Sequence, residues 1–396
     1  MKKLKVVVYH VGARDKYSIA NYFADKQMLH ALITDYWFKL SRFMLFGRIR
    51  EKANRRFSES LQDDRVYSYP FVKIIKNLWN RSQNLSADQI WILHDKAFTS
   101  FALQKMKKLK PDVLYGYTNA SLEVLEYYKN HKNVLKIHNQ IDPGLIYYEI
   151  KRELNLLFPE LEKTAETISL EFIERIKKEW ELADCIIVNS EYSKKSLSKY
   201  VSQDKVIEIL PLIYDRKKKF KTFKREYSDR LNVGFVGNIS VIKGFNKFID
   251  VAKNLNSEMN FIAVGTFLLN DTIMEETKSY ITYTGHLTIQ GMQDIYKTID
   301  VLVFPTYCDG FGMVQLEAMD NGIPVLASRY CGEVVIDNYN GNIIETADDI
   351  INVLSVLNND RYLLQKYSEN AFETINNFSQ EKFELRFNLI LEKYLS

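Results

Sequence analysis

The sequence VLVFPTYCDGFGMVQLEAMDNGIPV occupies residues 301–325 of this chain. Its first four residues are apolar and predict a buried parallel strand, Val301–Phe304. A helix is predicted from Met313 to Asn321, because Gly322 can serve as its C-cap and Pro324 cannot continue it. The glycines between strand and helix allow a ligand to approach backbone N–H groups closely, and such a helix start favours anions.

Two acidic residues in this stretch, Asp309 and Glu317, are separated by seven others. Glu317 is predicted one turn into the helix, where its carboxylate can accept hydrogen bonds from neighbouring hydroxyl groups. The glycine loop lies between the two acids. The pattern therefore predicts a pocket for a ligand that carries both phosphates and hydroxyls.

This pattern resembles the donor-sugar site of the retaining GT-B glycosyltransferases of family four (glycosyl transferases group 1). The resemblance implies that Asp309 contacts the transferred sugar and that Glu317 binds the ribose of the nucleotide. The family usually has glutamate at the first position, and the shorter aspartate withdraws its carboxylate by roughly 1.5 Å. Backbone donors around Gly310, Phe311 and Gly312 are expected to bind the diphosphate.

A second motif, GNISVIKG at 237–244, resembles the Gly-Arg-x-x-x-x-Lys-Gly motif of the same family. The resemblance implies that Gly237 and Lys243 bind the donor pyrophosphate and that Lys243 acts in catalysis. Asn238 replaces the family's arginine, so one neutral donor stands where a charged, forked group is usual. A lysine at a predicted helix start is unfavourable for the helix dipole, which favours a functional role for Lys243.

The first half of the chain has the alternation of strands and helices that is typical of a parallel sheet with helices on both faces. Strands are predicted at Lys5–Tyr9, at 113–115, at 134–137, at 185–188 and at 205–210, and one long helical segment at Phe158–Leu182. Gly12 turns the chain after the first strand and is assigned to donor binding. His138 is predicted just past a strand end, where ligands of open parallel sheets bind, and the resemblance implies that it faces the sugar and takes part in catalysis.

The predicted fold class is α/β, with two Rossmann-like, doubly wound domains that face a cleft (GT-B). Residues 1–215 form the acceptor-side domain, and residues 216–379 form the domain that binds the nucleotide sugar. The family resemblance implies that the last helix, about 380–396, crosses back onto the first domain.

Composition excludes several other classes of protein. The net charge of +4 over 396 residues is too weak to argue for nucleic acid binding. No apolar run approaches the length of a membrane span. Three widely spaced cysteines (185, 308 and 331) predict reduced thiols in a cytoplasmic protein, and neither cysteine nor histidine spacing predicts a metal site.

Residues 36–81 differ from the rest of the chain in charge. They contain eleven Lys or Arg and four acids, a net charge of +7, interleaved with Trp, Phe and Tyr. Such a segment can dock on an anionic membrane, and equally its apolar residues can be core and its charges a solvated face. Both interpretations stay open at this point.

The sequence as a whole predicts a glycosyltransferase that moves a sugar from a nucleotide-diphosphate sugar to a glycan or lipid-linked acceptor of a surface polysaccharide. The resemblance implies retention of anomeric configuration, with neither metal nor bound cofactor. Two alternatives remain: a nucleotide-sugar epimerase of GT-B type, and a non-catalytic sugar-nucleotide-binding protein.

Overall fold

The structure, a computed structural model, describes most of the chain: residues 4–37, 56–61, 63–68, 85–162, 168–210, 212–214, 226–227 and 229–395. These residues form two parallel sheets, each covered by helices. The predicted domain boundary at 215/216 and most of the basic segment 36–81 lie outside the described residues.

The first sheet has seven strands in the order β3-β2-β1-β4-β5-β6-β7. Every neighbouring pair is parallel. The strands are β1 Val6–His10, β2 Leu29–Thr34, β3 Val66–Ser68, β4 Val113–Tyr117, β5 Leu135–Gln140, β6 Cys185–Val188 and β7 Ile207–Ile209. The helices of this half are α1 Ser18–Asp25, α2 Ala87–Leu109, α3 Leu122–Tyr128, α4 Leu145–Leu157, α5 Leu170–Leu182 and α6 Glu191–Leu197.

The second sheet has six parallel strands in the order β10-β9-β8-β11-β12-β13. The strands are β8 Asn232–Val236, β9 Asn260–Val264, β10 Ile281–Gly285, β11 Val301–Phe304, β12 Val325–Ala327 and β13 Gly341–Ile343. The helices are α7 Phe245–Leu255, α8 Asp271–Thr277, α9 Ile289–Thr298, α10 Val314–Met319, α11 Ala347–Asn359, α12 Arg361–Thr374 and α13 Gln380–Leu395. Both sheets confirm the predicted α/β class.

Alternate residues of β1 pack into two different cores, as a strand buried on both faces requires. Val6 and Val8 lie in one cluster with Phe23 of α1. Val7 and Tyr9 lie in another cluster with side chains of α2. The sheet is therefore covered by helices on both faces.

The last helix, α13, packs on the first sheet although it follows the second in the chain. Its apolar residues Phe383, Phe387, Ile390 and Leu391 belong to the cluster that holds Val6 and Val8. Lys26 Nζ also lies 2.8 Å from a carboxylate oxygen of Glu384. This helix ties the end of the chain to its beginning.

The helical segment predicted at Phe158–Leu182 is wrong in its first half. Helix α4 ends at Leu157, directly before Phe158-Pro159, and α5 begins only at Leu170. The residue before a proline is disfavoured in helical conformation, which accounts for the break. Leu154 of α4 packs into the core of the second half, so this helix bridges the two halves.

The direction of strand order reverses between β1 and β4 in the first sheet and between β8 and β11 in the second. In open parallel sheets, ligands bind at the carboxyl ends of the strands at such a switch point. The loops that begin at Val11, Gly237 and Pro305 leave the sheets there. Both motifs found in the sequence therefore lie where this fold binds ligands.

Candidate active site

Lys243 and Asp309 are brought together from two different loops of the second sheet. Lys243 ends a short 3-10 turn, Val241–Lys243, and Asp309 follows β11. The Lys243 Nζ lies 2.5 Å from Asp309 Oδ2. Their side chains are 22% and 21% exposed, so a ligand can reach both. The two residues assigned to catalysis in the second domain thus form one ion pair.

The carboxylate of Asp309 also binds the glycine loop that follows it. Its Oδ1 accepts hydrogen bonds from the backbone N–H groups of Phe311, at 3.2 Å, and Gly312, at 3.1 Å. We expected these N–H groups to face a diphosphate, and instead they bind a side chain of the same loop. The ring of Phe311 is buried and packs edge-on against Phe378, so only its backbone belongs to the site.

Glycine is required at Gly312 by geometry. Its φ is +77°, and an added Cβ would lie 2.4 Å from the ring of Phe304. The turn therefore brings the start of α10 close to the end of β11. This close approach fixes the orientation of the loop that carries Asp309.

Glu317 lies in α10, one turn after the loop, as predicted. Its Oε2 accepts a hydrogen bond from the hydroxyl of Tyr296, at 3.0 Å. Tyr296 is buried in α9, so it holds one oxygen of Glu317 in place. No motif in the sequence points to this tyrosine, because it belongs to a different helix.

Gly237 and Asn238 are exposed at the end of β8. A Cβ added to Gly237 would meet no atom within 4 Å, so the backbone here borders open space. Gly237 also has a φ of +137°. A Cβ added to Gly265 would lie 1.8 Å from the Gly237 carbonyl oxygen, so the two glycines pack closely. Both residues lie at the switch point, at the same carboxyl edge of the second sheet as Lys243.

Gly12 follows β1 at the facing edge of the first sheet. Its N–H donates to Asp35 Oδ1 at 3.0 Å, and its carbonyl lies 2.7 Å from His10 Nδ1. Arg56 Nη1 lies 3.0 Å from the same Asp35 oxygen. The backbone donor of Gly12, assigned to donor binding from sequence, is therefore already bonded to a buried carboxylate.

His138 is not past a strand end, and that prediction is wrong. Strand β5 continues to Gln140, and the His138 side chain is fully buried. Its Nε2 lies 3.4 Å from Gln140 Oε1 and 3.9 Å from a carboxylate oxygen of Glu179. Burial lowers the pKa of His138 to about 4, so its imidazole is neutral near pH 7. His138 is therefore held inside the first half, near Glu179 of α5, and its catalytic role stays a prediction.

The sequence missed a strained turn that borders Gly12. Asp15, Lys16 and Tyr17 have φ values of +46°, +51° and +65°, a left-handed conformation that residues with a side chain rarely adopt. The Tyr117 hydroxyl donates to Asp15 Oδ2 at 2.9 Å. Burial raises the pKa of Asp15. Backbone strain of this kind is concentrated at functional sites.

The sequence also missed Asp142, which follows β5. Its Oδ1 accepts from Gln140 Nε2 at 2.6 Å and from the Gly144 N–H at 2.8 Å. Burial raises the pKa of Asp142, the two hydrogen bonds and Arg14 lower it, and the charge of Asp309 raises it. Asp142 is therefore close enough to Asp309 to sense its charge.

The two halves contact each other beside the glycine loop. The hydroxyls of Ser190 and Ser193 lie 2.6 and 3.1 Å from the Gly310 carbonyl oxygen, to which both donate. Ser190 also caps α6, because its oxygen accepts from the Ser193 N–H. The Glu333 carboxylate accepts from the backbone N–H groups of Glu191 and Tyr192 at 3.0 and 2.8 Å. These contacts hold the first half against the loop of Asp309.

Residues 230–360 match the family described as Glycosyl transferases group 1. The chain therefore carries a group 1 glycosyltransferase domain. This match spans both motifs, the Lys243–Asp309 ion pair and Glu317. The named resemblance is confirmed at the level of this domain.

Among curated relatives, the chain is 26% identical over 195 residues to the capsular polysaccharide biosynthesis glycosyltransferase CapM of Staphylococcus aureus. That match covers 45% of this chain and 51% of CapM. The chain spans about half the length of the curated relatives it matches.

Solved structures match over nearly the whole chain. Sucrose-phosphate synthase from Thermosynechococcus elongatus has a TM-score of 0.68 at 16% identity, with 99% of each chain covered. The HepE protein of Anabaena, solved in complex with UDP-glucose, has a TM-score of 0.62 at 13% identity, covering 98% of this chain and 100% of HepE. The two parallel sheets and these neighbours confirm the predicted GT-B fold.

The structure also bears on the cysteines, on membrane-spanning helices and on metal ligands. Cys185, Cys308 and Cys331 are free, buried thiols, as predicted. Within the described part of the chain, no helix is long and apolar enough to cross a membrane. In the same residues, no group of three His, Cys, Asp or Glu side chains is placed to hold a metal ion.

Little of the basic segment 36–81 can be placed. Two of its aromatic residues, Trp37 and Phe57, pack together at 5.1 Å between ring centroids, and Trp37 lies against the first core. Arg56 is bound to Asp35. Trp37 and Phe57 thus pack as the core interpretation predicts, whereas Arg56 pairs with a buried carboxylate instead of lying on a solvated face. Arg48, Arg50 and Arg55 lie outside the described residues, and membrane docking stays a prediction.

Proposed function

We propose that this chain transfers a sugar from a nucleoside diphosphate sugar to a hydroxyl group of a glycan or lipid-linked acceptor. The names of two similar proteins support this proposal: CapM acts in capsular polysaccharide biosynthesis, and HepE was solved with UDP-glucose. The acceptor then belongs to a surface polysaccharide or glycoconjugate. The transfer retains anomeric configuration and requires neither a metal nor a bound cofactor.

The ion pair between Lys243 and Asp309 is the observation that carries the proposal. Cleavage of the bond between sugar and diphosphate develops negative charge on the leaving diphosphate. A lysine ammonium at the edge of the cleft stabilises that charge. Asp309 is an acceptor-only group when ionised, which suits hydrogen bonds from sugar hydroxyls. The pair therefore provides one group for each side of the bond that breaks.

The Lys243 ammonium group, which binds Asp309 here, is partly exposed and has further N–H donors for a diphosphate. A diphosphate that binds Lys243 competes with the Asp309 carboxylate and frees it for the sugar. Freed Asp309 would also release the N–H groups of Phe311 and Gly312, which point to Oδ1. Donor binding would thus assemble the predicted diphosphate site from groups that bind one another here.

Glu317 is proposed to bind the ribose. Tyr296 occupies its Oε2 and holds the carboxylate, so Oε1 faces the ribose hydroxyls. A carboxylate fixed by a buried tyrosine loses little side-chain freedom when it binds a ligand.

A thermal-shift screen with UDP-, GDP- and ADP-sugars tests the proposal, because a ligand that binds the folded protein raises its melting temperature. We expect the sugar donors of one nucleotide to stabilise the protein. We also expect the protein to turn over a sugar donor of that nucleotide, with release of the nucleoside diphosphate. Asp309→Ala is expected to bind the nucleotide and to lose turnover.

The remaining candidate functions predict different results in the same screen. Binding without turnover by the wild-type protein would identify a non-catalytic sugar-nucleotide-binding protein. Conversion of the donor into its epimer, without any transfer, would identify an epimerase. A protein stabilised by none of the nucleotides would contradict the proposal.

A further inference from the structure

We infer that Asp142 is the residue of the first half that binds the attacking hydroxyl of the acceptor. This inference rests on the proposed function and names a residue that the sequence motifs did not include. The hydroxyl would donate a hydrogen bond to Asp142 Oδ2 while its oxygen faces the sugar held at Asp309.

The position of Asp142 brings it to the reacting groups. It follows the carboxyl end of β5, and its backbone touches the glycine loop of the second half. A Cβ added to Gly310 would lie 2.5 Å from the Ile141 carbonyl oxygen and 2.9 Å from Asp142 Cα. Asp142 is thus adjacent to the loop that begins with Asp309.

The side chain of Asp142 is fixed by one oxygen only. Both of its hydrogen bonds, from Gln140 Nε2 and from the Gly144 N–H, end on Oδ1. Among the residues that the structure describes, Oδ2 accepts no hydrogen bond. Asp142 is a half-buried residue, and its carboxylate therefore keeps one oxygen for a ligand while the other sets its orientation.

A buried network behind Asp142 fixes the side chain of Gln140. The Trp180 Nε1 lies 2.7 Å from Gln140 Oε1. Because an indole N–H can only donate, the oxygen of this amide must face Trp180 and its nitrogen must face Asp142. His138 lies behind the same oxygen, at 3.4 Å, so its Nε2 carries the proton. His138 and Gln140 are positioning residues, which act on the acceptor through Asp142.

The two carboxylates at the site indicate which chemical group the acceptor presents. Asp142 and Asp309 face the reacting centre from opposite halves, and each is an acceptor-only group when ionised. A neutral hydroxyl on a sugar ring satisfies both carboxylates. Lys243 beside Asp309 and Arg14 near Asp142 offset the two negative charges, so the preference for a hydroxyl rests on hydrogen bonding.

The variant Asp142→Asn isolates the proposed contact. Asparagine keeps an oxygen for the hydrogen bonds of Gln140 and Gly144, and it replaces Oδ2 by a nitrogen that cannot accept. Water serves as the probe acceptor, so the rate of donor hydrolysis is measured with the nucleotide sugar that the wild type turns over. We expect hydrolysis to fall by about ten- to a hundredfold, as for a lost hydrogen bond to a charged group. Affinity for the nucleoside diphosphate, measured by calorimetry, should not change.

Asp184→Asn is the matched control. Asp184 pairs with Lys136 at the other end of the same sheet, and its loss should leave hydrolysis at the wild-type rate. Hydrolysis by Asp142→Asn within twofold of wild type would overturn the inference. If the wild-type protein neither bound nor turned over any nucleotide sugar, the proposed function itself would be overturned. That result is distinct from a failure of the inference about Asp142.

The positioning role is tested with Gln140→Leu, alone and combined with Asp142→Asn. We expect Gln140→Leu to slow hydrolysis in the wild-type background and to have no further effect once Asp142 is changed, because both act through one contact. Equal losses in both backgrounds would show that Gln140 only supports the fold. Melting temperatures of all variants separate loss of stability from loss of rate.

Discussion

The loops at the carboxyl edges of the two sheets adopt the same left-handed backbone conformation with different residues. In the second half, Gly244 and Gly312 have φ values of +78° and +77°. In the first half, Asp15, Lys16 and Tyr17 adopt φ values between +46° and +65°. Glycine accepts this conformation without strain, whereas other residues do so at a cost of about 1–2 kcal/mol each.

This difference explains why site residues of the second half could be predicted from the sequence. A glycine at a turn is visible as a motif, and the residues that it positions, Lys243 and Asp309, could be named in advance. The first half holds its turn by tertiary contacts instead, such as the bond from Tyr117 to Asp15. The positions of Asp15 and Asp142 therefore leave no pattern in the chain.

The largest effect is expected where the second half supplies its charge. Lys243→Ala should lower turnover of the true donor by about a hundred- to a thousandfold, as for other lost charge-stabilising donors. Steady-state kinetics measures this loss. Lys253→Ala, an exposed lysine on α7, is the control and should have the wild-type rate. A rate near wild type for Lys243→Ala would remove this lysine from the mechanism.

Gly244→Ala tests whether the second half depends on glycine geometry. An added Cβ would lie 2.0 Å from the Pro305 carbonyl oxygen, at a φ of +78°. We expect the free energy of unfolding to fall by about 2–4 kcal/mol, from the strained backbone and the forced displacement. Urea denaturation measures this loss. An unchanged midpoint would mean that the loop relaxes freely.

Buried charges of the first half predict a pH effect. Burial raises the pKa of Glu179 to about 7 from an ordinary value of 4.5. Between those values the folded protein keeps a proton that the unfolded chain has lost, so this group lowers stability as pH rises. His138, with a pKa lowered to about 4 from 6.5, acts in the opposite direction up to pH 6.5. The two effects oppose each other between pH 4.5 and 6.5.

Glu179→Gln should remove one of these two opposing effects. The stability of this variant relative to wild type should rise with pH by about 1.4 kcal/mol per unit over that range. Urea denaturation at pH 4.5, 5.5 and 6.5 measures the difference. Glu179 also accepts backbone bonds from Asn119, Ser121 and Leu122, so a constant loss at every pH is expected as well. A difference without any pH slope would contradict the prediction.

The smallest effect is the counterpart of Gly244→Ala. Lys16→Gly removes a side chain from a left-handed position, where Lys16 has a φ of +51° and is exposed. Relief of strain exceeds the added freedom of the unfolded chain, so stability should rise by about 0.5–1 kcal/mol. Opposite signs for the two substitutions, under the same urea conditions, would confirm the comparison. Loss of stability on Lys16→Gly would refute it.

The second half was predicted with small errors, because its strands are short apolar runs that end at glycines or prolines. The strand predicted at Val301–Phe304 matches the structure in full. The first half was predicted less well. Strand β5 was ended too early, at Ile137, because His138, Asn139 and Gln140 are polar residues in a buried strand. Neighbouring strands β4 and β6 pair with these residues and extend the strand.

The sequence by itself determined the α/β class and showed the two glycine motifs that contain Lys243, Asp309 and Glu317, because glycine spacing and apolar periodicity are local properties. The roles of these three residues were predicted from the family resemblance. Only the tertiary structure decided what each group contacts. It joined Lys243 to Asp309, moved His138 into the interior and placed Asp142 beside Gly310. These contacts join residues that are far apart in the chain, and hydrogen bonding and burial across the sheets select them without leaving a local signal.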